Sequence, residues 1–527
     1  QQAKAPEIRI TTGGVTVIHP REKKDFSRDM YLEGKGLYDV ACFHAHGSLM
    51  NYVERQELLE KWLDSGKIDL PVCNTETGDR SGYTVETIRR QAETLVKKIV
   101  YAKSRHTEFY IWFTLQDYWD MDFEADDSFG LVTSDNRPKP GFIAYNELIR
   151  QLGDTGRGEL LSGTGTLDVY RFVNAGEQRE VLALWPKTGG SRQLLPLEGK
   201  GGVKAADLFG RPIPVEVSHG YAAIPVEGPM YVSYPAGAFR LGSAVAAQKG
   251  MTGASAGSSA MPVLGIRNPF PAAAKVTVGE TAPVMLSAGA SGEIPVAVKV
   301  PADQSNGAYS VACHVRIEAG KETLDLTVPV TVNVGYPVAA GDKPAARIVL
   351  DTLDRVHEMS FDPAIPRWNG PKDLSCDFAM TREGGDLKLT IRVTDDRHVM
   401  NSSPADGWKD DSIQIGFQSL DGRFTELTFS GSGKDGKGAV YAGISPDPAL
   451  RGEWKVPARL TRQGDVTVYE IALPLAKLGI SPAPGTLFRF AFLVNENDGQ
   501  GRVRWIEWMG VIGRTKNPDE FGWGVMR

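Results

Sequence analysis

Cysteine is scarce in this sequence: four in 527 residues, at positions 42, 73, 313 and 376, with no C-x-x-C pair among them. That spacing excludes a zinc ribbon and argues against a disulfide scaffold. Cys42 and Cys73 lie in apolar, strand-like runs and are expected to be buried free thiols. Long hydrophobic runs are also missing. None approaches the roughly 20 residues that a bilayer-spanning helix needs, so no membrane partner is expected. Residues 1–7 are polar and carry no signal-peptide pattern, so secretion has to be argued from function. There is no basic block either: 59 Lys and Arg stand against 65 Asp and Glu, for a thinly spread net charge of −6. Nothing there would neutralise a row of phosphates, and nucleic acid is not an expected partner.

A chain of this length exceeds what one core fills, which points to three to five domains. Residues 1–152 alternate strand-like and helix-like patterns. Short strands are expected at 8–11, 38–44, 70–74 and 108–115. Asn51 with Glu54 resembles a capping box opening a helix with Val53, Leu58, Leu59, Trp62 and Leu63 on one face. A clear amphipathic helix follows at 84–103, and a closing helix at 139–152. Polar and aromatic residues gather just past the strand ends, the arrangement a parallel α/β barrel presents at its active face. The rest is short strands with Gly and Pro punctuation. We expect an antiparallel β-sandwich at 159–237, a flexible Gly/Ala/Ser linker at 238–262 and an immunoglobulin-like sandwich at 263–337. A second linker near 337–344 leads to a last all-β domain at 345–527.

The run Pro71-Val72-Cys73-Asn74-Thr75-Glu76-Thr77-Gly78 ends a strand in a carboxylate directly before a glycine turn. Glycoside cleavage with retention needs a fixed carboxylate to attack the anomeric carbon, while a second carboxylic acid protonates the leaving oxygen. Glu76 suits the first role; on this segment alone a helix-capping or solvent-exposed glutamate fits as well. Its neighbours favour a sugar cleft. His44 and His46 end the preceding strand, Trp112 lies on the following one, and the next loop carries Asp117, Tyr118, Trp119, Asp120 and Asp122. Aromatic faces stack on sugar C–H surfaces, while carboxylates and imidazoles bond hydroxyl groups. His-x-His with no third nearby ligand is weak ground for a metal.

The stretch 38–152 resembles the last part of the barrel in clan GH-A retaining glycoside hydrolases, families 39 and 5 above all. The matching pieces are Asp39-Val40-Ala41-Cys42-Phe43-His44-Ala45-His46-Gly47, Asn74-Thr75-Glu76-Thr77-Gly78 and Tyr110-Ile111-Trp112-Phe113-Thr114-Leu115-Gln116-Asp117. Phe129-Gly130-Leu131-Val132 with Arg137-Pro138-Lys139-Pro140-Gly141-Phe142 is the most specific of them. The resemblance implies that 1–158 is the second half of a (β/α)8 barrel with Glu76 as nucleophile. It also implies that His44, His46, Asn74, Trp112, Asp117, Tyr118 and Trp119 line the sugar cleft, with no cofactor for catalysis. The clan's acid/base glutamate follows an Asn on the fourth strand, and no residue here matches it. The first half of the barrel is therefore expected as a further segment or a separate chain.

In the last domain, Trp408-Lys409-Asp410-Asp411-Ser412-Ile413-Gln414-Ile415 after Val393-Thr394-Asp395-Asp396 resembles a family-9 carbohydrate-binding module. So do Phe490 to Asp498, Trp508 and the closing Phe521-Gly522-Trp523-Gly524. The resemblance implies a poly- or oligosaccharide ligand gripped by Trp408, Trp505 and Trp508, and it adds a structural calcium, for which Asp and Asn in turns are suitable ligands. Each tryptophan fits the core equally well. Two functions follow: a bacterial retaining glycoside hydrolase, secreted, periplasmic or at the cell surface, or a non-catalytic carbohydrate-binding scaffold. The sugar, the linkage and the oligomeric state are not readable.

Overall fold

The computed structural model describes residues 8–16, 26–81, 85–105, 107–117, 128–161, 166–187, 193–218, 220–359, 366–431, 437–509, 512–513 and 516–527. It divides into two compact units, residues 1–245 with 320–326, and residues 246–319 with 327–527.

The first unit opens with four parallel strands in sequential order: β1 (Val15–Thr16), β2 (Ala41–His44), β3 (Val72–Thr77) and β4 (Thr107–Trp112). Helices α1 (Phe26–Glu33), α2 (Leu49–Ser65) and α3 (Val85–Ser104) connect them, and α4 (Pro140–Leu152) follows. The first strand is shifted from its expected place. Residues 8–11 form only an isolated bridge, Thr11 to Val40, and the pairing to β2 comes from Val15–Thr16. The cap of α2 is Ser48, whose hydroxyl accepts the Asn51 N–H, rather than Asn51 itself.

Alternation along β2 divides its side chains. Ala41 and Phe43 join the core made with Tyr52, Leu59, Leu95, Val96 and Leu148 of the helices, while Val40 and Cys42 cluster with Cys73 on the other face. There the free-thiol expectation fails. Cys42 and Cys73 are register partners on adjacent strands with Cα atoms 4.8 Å apart, and they form a disulfide. A spacing of 31 residues hid this, because only the parallel pairing brings the two together. Cys313 and Cys376 are buried and free.

An antiparallel sandwich completes the unit. A six-stranded sheet around the hairpin Leu167–Asn174/Arg179–Pro186 faces a three-stranded one across Val169, Leu184, Leu197, Ile224 and Val232. Its opposite face, with Tyr170, Phe172, Val181 and Trp185, packs into the helical core.

The second unit holds two sandwiches. The Gly/Ala/Ser stretch is not a linker. Ala246–Lys249 pairs with Val263–Arg267, Gly253–Ala254 with Asn333 and Val334, and Ser259–Ala260 with Val298–Lys299. Small residues serve close packing here: a Cβ on Gly253 would lie 2.6 Å from the Leu487 side chain. Nor is 337–344 wholly a linker. Tyr336–Ala340 is a strand of the last domain, parallel to Gly522–Met526 in one sheet and to Leu374–Glu383 in the other. The core between those sheets is built on Phe378, Ile391, Ile413, Phe417, Phe429, Phe490 and Phe492.

Candidate functional site

Glu76 sits at the C-terminal end of β3, where a register irregularity sets its direction. Phe43 opposes Asn74 and His44 opposes Glu76, so Thr75 is an extra residue in β3. Strict alternation would have turned Glu76 toward the helices; the bulge instead brings both Thr75 and Glu76 against His44. The Glu76 carboxylate lies 2.9 Å from His46 Nε2 and 3.6 Å from His44 Nδ1, and Thr75 Oγ1 lies 3.1 Å from His44 Nε2. About a third of the Glu76 side chain is exposed. A Cβ on Gly14 would overlap the His44 ring, so glycine there leaves room for it.

His46 is wedged edge-on between Phe113 and Phe129, with centroid distances of 5.4 Å to each. Burial lowers its pKa below the ordinary histidine value, against the opposing pull of Glu76. The neutral ring therefore donates Nε2–H to the carboxylate, which fits the buried Nδ1 having no hydrogen-bond partner.

Beneath this group lies a residue the sequence reading missed. Lys98 of α3 is fully buried, and its ammonium donates to Ala45 O, Thr77 Oγ1 and Gly78 O, each at 3.2 Å. It ties the ends of β2 and β3 together from the helix side. Burial pulls its pKa down to about 7. Lysine on an amphipathic helix carries no mark of burial in the sequence.

The remaining expected cleft residues divide. Trp112 is buried, its indole N–H bonded to Phe129 O. Asn74 does not line a cleft: it is fully buried, faces the helices with Phe43 and donates to Phe43 O. Asp117 is also a structural residue. It ion-pairs at 2.6 Å with Lys139, itself buried, and accepts the Gly130 N–H. Tyr118, Trp119, Asp120 and Asp122 lie outside the described residues.

In the last domain, pairing of Ser412–Gln418, Phe424–Gly431, Leu487–Asn497 and Arg502–Trp508 places Gln414, Glu426, Asn495, Trp505 and Glu507 on one face and the core residues on the other. The face is a polar network. Gln414 donates to Glu426, which accepts two bonds from Lys516, and Asn495 bonds Ser412 and Gln414. Trp505 donates to Glu507 and is flanked by Arg502 and His357. Two of the three expected sugar-stacking rings are thus committed elsewhere. Trp505 is covered, with Gly513 packed against its ring, and Trp508 stacks on Phe490 and Phe492 on the core side. Trp408, on the 3-10 turn Pro404–Lys409, is the exposed ring of the three, at 38%, with the Lys409 ammonium 5.4 Å from its centroid. Polar Gln414 between Ile413 and Ile415 was the available signal for the network.

The loop leading to Trp408 is pinned from below. Asp410 accepts N–H bonds from Asn401 and Ser402, and Asp411 from Val399 and Asn497. Nearby, the buried Arg504 gathers Glu358, Asp373 and Glu496, and burial pushes Glu496 up to about 8.

Residues 356–527 match the family model described as carbohydrate family 9 binding domain-like. The C-terminal domain is CBM9-like. No curated protein matches the chain. Among solved structures it is similar to a family 39 glycoside hydrolase from the gut symbiont Bacteroides cellulosilyticus WH2, at 19% identity and a TM-score of 0.31, over 39% of this chain and 46% of that one. The chain is also similar to the CBM9 of Caldicellulosiruptor kristjanssonii. The complex with glucose shows 19% identity and a TM-score of 0.25, covering 36% of this chain and 94% of that one. The cellotriose complex shows 18% and 0.26, covering 36% and 92%. The chain thus spans less than half of the family 39 structure. No helix among the described residues is long and apolar enough to cross a membrane.

Proposed function

We propose that this chain is the sugar-binding and nucleophile-bearing part of a retaining glycoside hydrolase, secreted or held at a bacterial cell surface. The observation that carries the reading is the carboxylate of Glu76 at the C-terminal end of a parallel strand, bonded by neutral His46 and bordered by His44 and aromatic rings. Such a carboxylate attacks the anomeric carbon, and the glycosidic C–O bond breaks as the new ester C–O bond forms. The His46 N–H fixes which carboxylate oxygen is bonded and leaves Oε2 toward His44. An acid some 5–5.5 Å from the nucleophile must protonate the leaving oxygen. That group is expected from a further half of the barrel, four strands being described here. The CBM9-like domain would hold a poly- or oligosaccharide near the reaction, with Trp408 as the stacking ring. The buried Cys42–Cys73 bridge suits an oxidising compartment.

A second reading is a non-catalytic scaffold that works only through its C-terminal domain, supported by the family match of that domain. Aryl glycosides separate the two. With the full-length protein, Glu76→Gln should lower kcat by ~1000-fold or more while sugar binding by the C-terminal domain is kept. A loss of only a few-fold would leave the scaffold.

A further inference from the structure

Lys98 is a buried cation whose hydrogen bonds go to uncharged oxygens. It belongs to α3, whose Leu95, Val96 and Ala102 are core residues, and it is itself fully buried. Its three acceptors are Ala45 O, Thr77 Oγ1 and Gly78 O, and the Tyr52 ring centroid lies 5.9 Å from the ammonium. Asp79 and Arg55 are the charged groups that act on it, in opposite directions. Taking an ammonium out of water without a bonded counter-ion is costly, and a methionine would fill similar space without that cost.

The placement of the acceptors gives the charge a use. Ala45 precedes His46, while Thr77 and Gly78 follow Glu76. Regular pairing is interrupted here: β3 slips against β2 past Phe43 and against β4 between Asn74 and Thr77. Beyond the slips the strand ends are joined by Ala45 N–H to Glu76 O, Gly47 N–H to Gly78 O and Phe113 N–H to Thr77 O. The Thr77 hydroxyl donates to Ala45 O and accepts from Lys98, which itself donates to Ala45 O. One ammonium thus closes a ring of bonds across the two strand ends that carry the imidazole and the carboxylate.

We propose that Lys98 is a positioning residue for the Glu76–His46 pair, fixing both strand ends from the helix side and with them the bond from His46 Nε2 to the carboxylate. Its part in turnover rests on the hydrolase reading; its hold on the pair does not.

The test compares the full 527-residue chain with Lys98→Met, Thr77→Val and Leu148→Ala, each carrying 15N-labelled histidine, with His46→Gln identifying the His46 signals. Lys98→Met should speed solvent exchange of the His46 Nε2–H by ~10-fold or more. It should also raise the His46 pKa toward the ordinary histidine value, because a nearby positive charge is gone and the ring is better hydrated. Thr77→Val keeps the volume and removes one link of the ring, so it should move both signals less but in the same direction, and it decides if Lys98→Met does not fold. Leu148→Ala truncates the same core away from the clamp and should leave His46 unchanged. In the full-length protein, Lys98→Met should lower kcat on aryl glycosides by ~10–100-fold with KM little altered. Unmoved His46 signals in Lys98→Met and Thr77→Val, or an equal change in Leu148→Ala, would overturn the proposal. Absence of turnover in the unaltered protein would remove the hydrolase reading instead, and the histidine signals would still decide on Lys98.

Discussion

Three tryptophans of similar sequence context have different jobs at the scale of single residues. Trp408 is the exposed ring of the three, so Trp408→Ala should weaken binding of an oligosaccharide by ~10-fold or more in isothermal titration calorimetry while Tm hardly moves. Trp505→Ala and Trp508→Ala should instead cost about 3–5 kcal/mol of domain stability, because both rings are packed. Lys98 offers a different measurement. Its folded pKa is lowered to about 7 from 10.5, so between those values the unfolded chain holds a proton that the folded one has released. Stability of the first unit should therefore rise as pH goes from 7 toward 10, and the penalty for burying the charge should be present in full below pH 7. Unfolding of Lys98→Met, followed over the same range, should lack that slope.

At the scale of elements, the disulfide and the bulge act on the same two strands. Closing a 31-residue loop constrains the unfolded chain by about 3–4 kcal/mol in the entropic account. The Cys42→Ala/Cys73→Ala pair should destabilise the first unit by about that much in chemical denaturation, with the second unit's transition unmoved. Much of this region was legible beforehand. The strand–helix alternation followed from periods of about two and 3.6, and the third and fourth helices lie within one residue of their expected ends, while α1 had no counterpart among the expected elements. What escaped was everything set by pairing register. The extra residue at Thr75, the match of Cys42 to Cys73 and the inward turn of Asn74 depend on which residue lies opposite on the next strand, and a single strand's pattern does not carry that information. Lys98 escaped for a related reason: an amphipathic helix hides a buried cation when its acceptors belong to loop carbonyls elsewhere in the chain.

For the whole molecule, sequence composition led astray where small residues were taken for flexibility. The Gly/Ala/Ser stretch and the segment after Tyr336 are built into sheets because glycine and alanine let a strand lie close against bulky neighbours such as Leu487. The polar network around Gln414 and Glu426 depends on four strands lying side by side, an arrangement with only a faint trace in any one of them. The strand Tyr336–Ala340 hydrogen-bonds to both layers of the CBM9-like domain. It acts as a hinge pin shared by two leaves. Any excision of that domain for binding studies belongs upstream of Tyr336, since a gene cut at position 345 would discard the segment on which both layers close.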